Sequence, residues 1–505
     1  MRFADFLLPR FLEFPLTPCA PPPSTRTAVA AYLVVSAVAL AAAILLVGCA
    51  SPGAAHTPLT QTAPAALGLT TATSDAVPPA QWWKTLNDAP LNALIDHALQ
   101  GNPSMALGRA RLEKAIALSQ VREALNSPQA TLSADVTRQR YTAKGLVPPP
   151  VAGNTYTSSN VQATLTWAPD FFGRHAAELE AALGQARAAQ ADAAAATNLL
   201  AAQVARSYVA LARLVAQRDV AERALAQRQE QQKLTQERVT AGLDSQIELT
   251  QTQAAVPDAR TQIEAVNEQI TLARRQLAVL SAQAPEALAT LTPQLSTLHP
   301  LAVPDTLGTD LLGRRPDVVA ARWRVEVATQ EVNGARSEFY PDINISAFVG
   351  LNALGLNNLL NASSRQVGVA PALRLPIFEG GRLRAQLGGR QAELDASIAQ
   401  YNGAVLDAVK EAGDAIASSQ SITRQQALQS EATASSEKAY QFAQERYRAG
   451  LSNYLIVLST ENQVLAQRRQ AVDLRARQLD TQLQLMKALG GGWSDDTATL
   501  QTATR

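Results

Sequence analysis

The side chains that most often do chemistry are sparse in this chain, and their spacing matches no catalytic or metal-binding pattern. Four histidines are present, and they share no metal-ligand spacing: His56, His97, His175 and His299. No Gly-x-Ser-x-Gly elbow precedes a plausible Asp/His pair, as it would in a serine hydrolase. Two cysteines, Cys19 and Cys49, are too few for a disulfide framework. We therefore predict no metal site and no cofactor.

Cys49 is a residue whose setting does indicate a covalent modification. It ends a stretch without charges, from Ala28 to Gly48, which Arg26 precedes. The segment from Leu46 to Cys49 resembles the lipobox of bacterial lipoproteins, in which a signal peptidase cuts before the cysteine and the freed cysteine is acylated. A transmembrane anchor is the alternative, since about 20 apolar residues can span a bilayer. An anchor, however, needs no cysteine at this position.

The amino terminus is therefore interpreted as a processed leader followed by a tether. Residues 1–48 are predicted to be a signal peptide, with an extended N-region or a start codon set too far upstream. Ala50, directly after the lipidated cysteine, favours sorting to the bacterial outer membrane. Residues 49–81 are rich in Pro, Thr, Ala and Ser, a composition typical of an extended tether.

Composition favours long packed helices over thick globular cores. Aromatic residues are only 5% of the chain, and the apolar fraction is carried mainly by Ala and Leu. The 44 basic and 43 acidic residues leave a net charge of +1. This balance gives no electrostatic argument for binding nucleic acid.

The chain contains an internal duplication. The phrase Glu-Arg-x-x-Ala-Gly-Leu occurs at Glu237–Leu243 and again at Glu445–Leu451. The two copies of this phrase are separated by one constant offset, and landmarks further upstream are separated by a second, slightly longer one. These upstream landmarks are Pro103, Arg111, Glu113 and Pro128, which correspond to Pro316, Arg324, Glu326 and Pro341. We predict two structural repeats, residues 82–283 and 310–489, joined by a connector at 284–309 and followed by a tail at 490–505.

Each repeat contains a predicted β-hairpin, at about residues 128–168 and 341–378. Apolar and polar residues alternate there, with Leu132 and Val161 on the apolar face of the first hairpin. The apolar set of the second hairpin includes Val367, Leu375 and Ile377. Each strand is about ten residues long, enough to cross a bilayer when tilted, although a soluble sheet covering a core is the alternative. Four strands cannot close a transmembrane barrel, so several chains would have to pool their strands.

A long helical hairpin follows each β-hairpin. Residues 174–241 and 382–449 lack proline, and about 68 residues at 1.5 Å each would reach about 100 Å. Gly242 and Gly450 are predicted to cap these helices, and return helices are predicted at about 245–283 and 453–489. Such helices must pack against others along their length, as coiled coils do. Pro257 is expected to kink the first return helix.

Six segments occur in a characteristic order along the chain. They are Trp82-Trp83, Asp310–Asp317, Phe339–Pro341, Leu375–Arg382, Glu445–Leu451 and Met486–Trp493. Each is a weak signal alone, but in this order and spacing they resemble the TolC-like outer-membrane efflux factors, in particular the lipoprotein branch typified by OprM and NodT. The resemblance extends from Trp82 to Trp493.

The resemblance implies a mixed α and β fold: a long antiparallel α-helical coiled-coil barrel plus four transmembrane β-strands per chain. A homotrimer would then form a 12-stranded β-barrel in the outer membrane. It further implies that the protein is not an enzyme but the exit duct of a tripartite efflux system, which passively conducts small molecules or drugs to the exterior. The implied partners are a periplasmic adaptor (membrane fusion) protein and an inner-membrane pump of the RND class or a similar one.

The resemblance also places the closed end of the duct at the periplasmic tip, beside the turns of Gly242 and Gly450. Leu455 matches an apolar constriction of the family, and Glu248 matches an acidic position. Ser459 stands where the OprM-like pattern has an acid, so a ring of three like charges would be replaced by three serines.

Two nearby carboxylates, Asp244 and Glu461, are further gate candidates, as acids that would compensate for Ser459. For both, a solvated position on the helix surface is the expectation. Arg314 and Arg315 are expected to form a salt bridge in the connector region.

Two alternative functions remain open. A duct for type I protein secretion would share the fold, but lipidation and the OprM-like motifs favour small-molecule efflux. A lipid-anchored periplasmic coiled-coil protein without a channel would explain the helices. It would not explain two membrane-length β-hairpins at equivalent points of a duplication.

Overall fold

The computed structural model describes residues 51–53, 55–62, 78–300 and 313–494. The predicted signal peptide, Cys49, parts of the tether and connector, and residues 495–505 lie outside the described residues.

The described elements are α-helices, most of them long, together with short 3₁₀ helices and four strands. The strands are β1 (Gln129–Arg140), β2 (Thr155–Trp167), β3 (Asp342–Leu354) and β4 (Arg365–Arg374). The helices are α1 (Ala89–Gly101), α2 (Pro103–Leu125), α3 (Arg174–Thr240), α4 (Gln246–Leu280), α5 (Pro316–Ser337), α6 (Arg382–Arg448) and α7 (Tyr454–Ala488).

These elements confirm the internal duplication. The long helices α3 and α6 contain 67 residues each, and the return helices α4 and α7 contain 35 residues each. The starts of α2 and β1 are separated by the same length of chain as the starts of α5 and β3. The stretch from β1 to α3, however, is longer than the stretch from β3 to α6. The additional residues of the first repeat therefore lie between β1 and α3.

The four strands form one antiparallel sheet in the order β1-β2-β3-β4. A row of paired residues crosses it, from Leu132 through Ala163 and Val349 to Val367. These side chains share one face, and all but Ala163 are large apolar residues that are more than half exposed. One face of the sheet is therefore apolar and uncovered.

The opposite face is polar and internally hydrogen-bonded. Nε2 of Gln366 donates to Oδ1 of Asn160 over 2.9 Å and to Oε1 of Gln162 over 3.0 Å. Nδ2 of Asn160 in turn donates to Oδ1 of Asp135 over 3.1 Å. Two faces of this kind are what a wall between lipid and a water-filled lumen requires.

The second hairpin ends earlier than predicted. Strand β4 stops at Arg374, so Leu375 and Ile377 do not belong to it. Pro376 follows closely, and a proline cannot donate a ladder hydrogen bond. Pro371 lies inside β4, opposite Ile345 of β3, and contributes no N–H group to the sheet.

Helix α3 is central to the helical body, where it packs against α2, α4, α5 and α7. The main apolar core includes Trp82, Tyr208 of α3 and Leu277 of α4. Small residues allow close approach elsewhere along α3. A Cβ atom added at Gly184 would lie only 2.9 Å from a methyl group of Val327 in α5.

The connector packs onto this body. Leu288, Leu295 and Leu298 are buried in the main core, and the Leu298 carbonyl accepts a hydrogen bond from Arg475 over 3.0 Å. At the start of α5, the buried Arg315 binds Asp317 over 2.6 Å. It also binds Glu411 of α6 over 2.9 Å, which confirms the predicted salt bridge for Arg315.

The described part of the tether lies against α6. The carbonyl of Ser51 accepts a hydrogen bond from Nε of Arg384 over 3.0 Å, near the start of α6. The amide of Thr62 donates to Oδ1 of Asn402 over 2.8 Å, further along the same helix. The tether therefore runs from the sheet end of α6 towards the helical body.

Candidate gate at the helical tips

Both helical hairpins turn at a glycine in the left-handed backbone region. Gly242 has φ +74° and Gly450 has φ +76°, values that favour residues without a Cβ atom. The amide of Leu243 donates to the Arg238 carbonyl over 2.8 Å, and that of Leu451 donates to the Arg446 carbonyl over 2.9 Å. These are Schellman caps, and they confirm the predicted helix ends.

The return helices begin with different caps. Ser245 and Glu248 form a capping box at the start of α4, in which a Glu248 carboxylate oxygen accepts from the Ser245 amide over 3.0 Å. The hydrogen bond from the Ser245 hydroxyl lowers the pKa of Glu248. Asn453 caps α7 instead, accepting from the Ile456 amide. Glu248 is therefore engaged within its own turn.

A hydrogen-bonded node joins the two hairpins beside these turns. The hydroxyl of Tyr447, on α6, donates to Oδ2 of Asp244, in the turn between α3 and α4. The hydroxyl of Thr235 on α3 lies 3.2 Å from that of Tyr447. Arg238 completes the node, because its Nε donates to Asp244 over 2.9 Å and its guanidinium stacks 4.7 Å from the Tyr447 ring centre.

Asp244 is not the solvated surface residue that was expected. Only 10% of its side chain is exposed, because Arg238 and Tyr447 cover it. Partial burial opposes ionisation, but the hydrogen bonds from Arg238 and Tyr447 outweigh it and lower the pKa of Asp244. Burial, together with the bond to Asp244, raises the pKa of Tyr447 to about 12. At neutral pH an ionised carboxylate therefore accepts from a neutral phenol.

Glu461 also departs from the expected solvated position. It is 4% exposed on α7 and pairs with Nε of Arg228 on α3 over 3.3 Å. Arg228 is itself buried and binds Asp258 of α4 over 3.1 Å. Burial raises the pKa of Glu461 although Arg228 opposes the shift. Three helices from both hairpins thus meet at one buried guanidinium.

Leu455 and Ser459 lie one helical turn apart on α7, and both are exposed in the single chain. Leu455 is 60% exposed and belongs to an apolar group at the tips that leaves its side chains uncovered. The other members of this group are Leu243, Ile247, Leu451 and Ile456. The structure therefore separates two sets of candidates: Asp244 and Glu461 hold the hairpins together, whereas Leu455 and Ser459 face outwards from them.

Sequence reasoning missed the partners Tyr447, Arg238 and Arg228. For Tyr447, the difference between the two copies of the repeated phrase was a signal that could have been used. When the two repeated phrases are aligned, Tyr447 corresponds to Val239, and Asp244 corresponds to Ser452. The two residues that bond across the hairpins thus stand at positions where the copies differ.

Comparison with known proteins places these features in a family. The sequence model described as "Outer membrane efflux protein" matches residues 94–283 and 307–491, which fall on the two repeats. The chain is 33% identical over 461 residues to the multidrug resistance outer membrane protein MdtQ of Escherichia coli O157:H7, covering 89% of this chain and 96% of that protein. It is 32% identical over 432 residues to MdtP of Escherichia coli strain K12, covering 83% and 88%.

A solved structure shares the fold over nearly the same range. The outer membrane protein VceC of Vibrio cholerae matches with a TM-score of 0.78 at 32% identity, covering 83% of this chain and 100% of that one.

Proposed function

The chain belongs to the outer membrane efflux protein family, and on that premise we propose that it is the outer-membrane exit duct of a tripartite efflux system. It conducts small molecules passively, after an inner-membrane pump and a periplasmic adaptor protein have delivered them. The observation that carries this proposal is the combination, in one chain, of a two-faced sheet of membrane-spanning length with two 67-residue helices.

The sheet supports assembly into a closed barrel. Among the described residues, β1 and β4 each present one edge that pairs with no other strand. Lipid does not tolerate unpaired strand edges, and the smallest membrane barrels have about eight strands. We propose a trimer in which β4 of each chain pairs antiparallel with β1 of the next, so that three sheets of four strands close one barrel.

The helices extend this barrel into a tunnel. At 1.5 Å per residue, α3 and α6 each span about 100 Å from the sheet to the tips. Threefold closure would surround one channel with six helical hairpins, and this length suits a passage through the periplasm.

The tips are the proposed gate. Leu455 would meet its symmetry copies around the axis as an apolar constriction, with Ser459 one turn away. Glu248 and Glu461 have the structural roles described above, and Asp244 would hold the hairpins in the closed arrangement through Tyr447. The exposed apolar group around Leu455 would also be available to an adaptor protein.

Acylation of Cys49 belongs to the same proposal. Ser51 contacts Arg384 only ten residues beyond the end of β4. A lipid on Cys49, two residues before Ser51, would therefore lie near the level at which the sheet meets the helices. This is the level of the periplasmic leaflet in the proposed barrel.

Membrane fractionation together with the oligomeric state in detergent tests the duct. The wild-type protein should be recovered from outer membranes as a trimer. A Cys49→Ser variant should lose the lipid, seen as a mass change, and still form the trimer, because the strands hold it in the membrane. A wild-type protein recovered as a water-soluble monomer would overturn the proposal.

A further inference from the structure

The end of the sheet farthest from the helices carries basic residues and no acidic ones. This outer end consists of the last residues of β1, the first of β2, the corresponding ends of β3 and β4, and the two loops 141–154 and 355–364. Residues 136–169 and 343–378 contain no Asp or Glu. The basic residues of the outer end are Arg138, Arg140, Lys144 and Arg365.

Three of these basic residues, all arginines, lie on the apolar face of the sheet. Side chains alternate along a strand, so Arg138 and Arg140 share the face of Leu132 and Val136. Arg365 pairs directly with Leu351 and shares the face of Val367, two residues on. These guanidinium groups therefore extend the lipid-facing surface at its outer margin and do not point into the polar lumen.

The stagger of the sheet brings Arg365 to the level of the β1 arginines. Across the sheet, Arg365 lies in one row with Leu351, Val161 and Ala134. Ala134 is six residues before Arg140 on β1. Strands tilt in a barrel, so such a stagger places the outer ends of β1 and β4 at a similar depth in the membrane. At each seam of the proposed trimer, Arg365 of one chain would then lie beside Arg138 and Arg140 of the next.

These side chains are available to a ligand. Among the described residues, Arg138 and Arg365 have no carboxylate within salt-bridge distance, and Arg140 donates only to the Gly153 carbonyl, over 3.3 Å. The nearest acid in sequence, Asp135, lies on the opposite face with Asn160. The cluster therefore has an uncompensated positive charge at the edge of an apolar surface.

We propose that each seam binds the phosphate groups of a phosphorylated glycolipid, the lipid A of the outer leaflet. Guanidinium groups bind phosphate through two parallel hydrogen bonds, and the neighbouring apolar row, which includes Val136 and Val367, would contact the acyl chains. A free phosphate ion would gain nothing from that apolar row. This inference rests on the proposed trimeric barrel, which brings β4 of one chain beside β1 of the next.

The test measures lipid binding by the trimer reconstituted in phosphatidylcholine nanodiscs. Bisphosphorylated lipid A is titrated against the wild type and an Arg138→Gln/Arg365→Gln variant. An affinity about 30-fold weaker is expected for the variant, because it loses two arginines and each one near an anionic lipid surface contributes on the order of 1 kcal/mol. The matched control is Arg424→Gln/Lys438→Gln, which removes two exposed positive charges from α6 outside the sheet and should bind lipid A as the wild type does.

Measurements with other lipids on the wild-type protein identify the chemistry of the ligand without any substitution. The wild type should bind lipid A stripped of its phosphates, and phosphatidylglycerol, less tightly than bisphosphorylated lipid A. Equal affinity for all three lipids, or equal lipid A affinity of the wild type and the Arg138→Gln/Arg365→Gln trimer, would overturn this inference and leave the duct intact. A wild-type protein that forms no trimer would instead overturn the duct itself.

Discussion

The hydroxyl of Tyr447 is a single group through which the two hairpins are joined at their tips. It donates to Asp244 and lies 3.2 Å from the Thr235 hydroxyl, so both of its bonds cross from the second hairpin to the first. Tyr447→Phe removes these bonds and keeps the ring, its contact with Tyr454 and its stacking with Arg238. The substitution therefore tests the hydrogen bonds alone.

The size of the effect follows from the partners. A hydrogen bond to a charged group contributes about 1.5–3 kcal/mol and a neutral one about 0.5–1.5 kcal/mol. Asp244 keeps its bonds to Arg238 in the variant, while the fully buried Thr235 hydroxyl loses its partner. A net loss of about 2–3 kcal/mol per chain is expected. It corresponds to a shift of about 30- to 150-fold in the equilibrium between joined and separated tips.

Single-channel recording in planar bilayers measures this shift as longer or more frequent openings. Tyr440→Phe is the matched control, because the Tyr440 hydroxyl accepts a hydrogen bond from Gln444 of its own helix. That variant loses a buried hydroxyl from the same aromatic cluster without releasing the first hairpin. If the two variants open equally often, the node does not hold the gate and the reasoning is refuted.

Three further predictions concern the same region. Leu455→Ala should raise the conductance or sensitise cells to large antibiotics, because it trims the proposed constriction; unchanged values in both assays would place the constriction elsewhere. Ser459→Asp should increase selectivity for cations, measured as a reversal potential in a salt gradient, since it adds one carboxylate per chain around the axis; Ser459→Asn is the uncharged control, and equal potentials would argue against a position in the pore. For Glu461→Gln, the sign follows from the raised pKa of Glu461. The wild type binds a proton more tightly when folded, so its stability relative to the variant should be greatest at acidic pH and decline as the pH rises through that pKa. Thermal unfolding of both proteins across the pH range checks this, and parallel pH profiles would contradict it.

Local signals in the sequence predicted most of the fold. The glycines of the two repeated phrases end the long helices with the expected left-handed geometry, and alternation located all four strands. Both constant offsets between the repeats reappear in the element boundaries. These features depend on residues close together in the sequence, where helix caps and side-chain periodicity are decided.

The candidate site was less predictable because its bonds connect distant parts of the chain. Glu461 meets Arg228 across 233 residues, and Tyr447 meets Asp244 across 203 residues. A charged residue on a polar helix looks the same in sequence whether water or a buried guanidinium faces it. The exposure expected for Asp244 and Glu461 was wrong for this reason. The end of β4 was missed more simply, because apolar alternation continued past Pro376.

The matched lengths of the two hairpins have a consequence for how this protein fits its compartment. The helices α3 and α6 have 67 residues each and their return helices have 35 each. Deleting two turns, about seven residues, from both arms of one hairpin would retract its tip by about 10 Å. Asp244 and Tyr447 would then lie at different heights. Both repeats thus specify the same hairpin length, and this length sets the distance that the protein spans. A change of that length to suit a wider or narrower periplasm therefore has to be made in both repeats together.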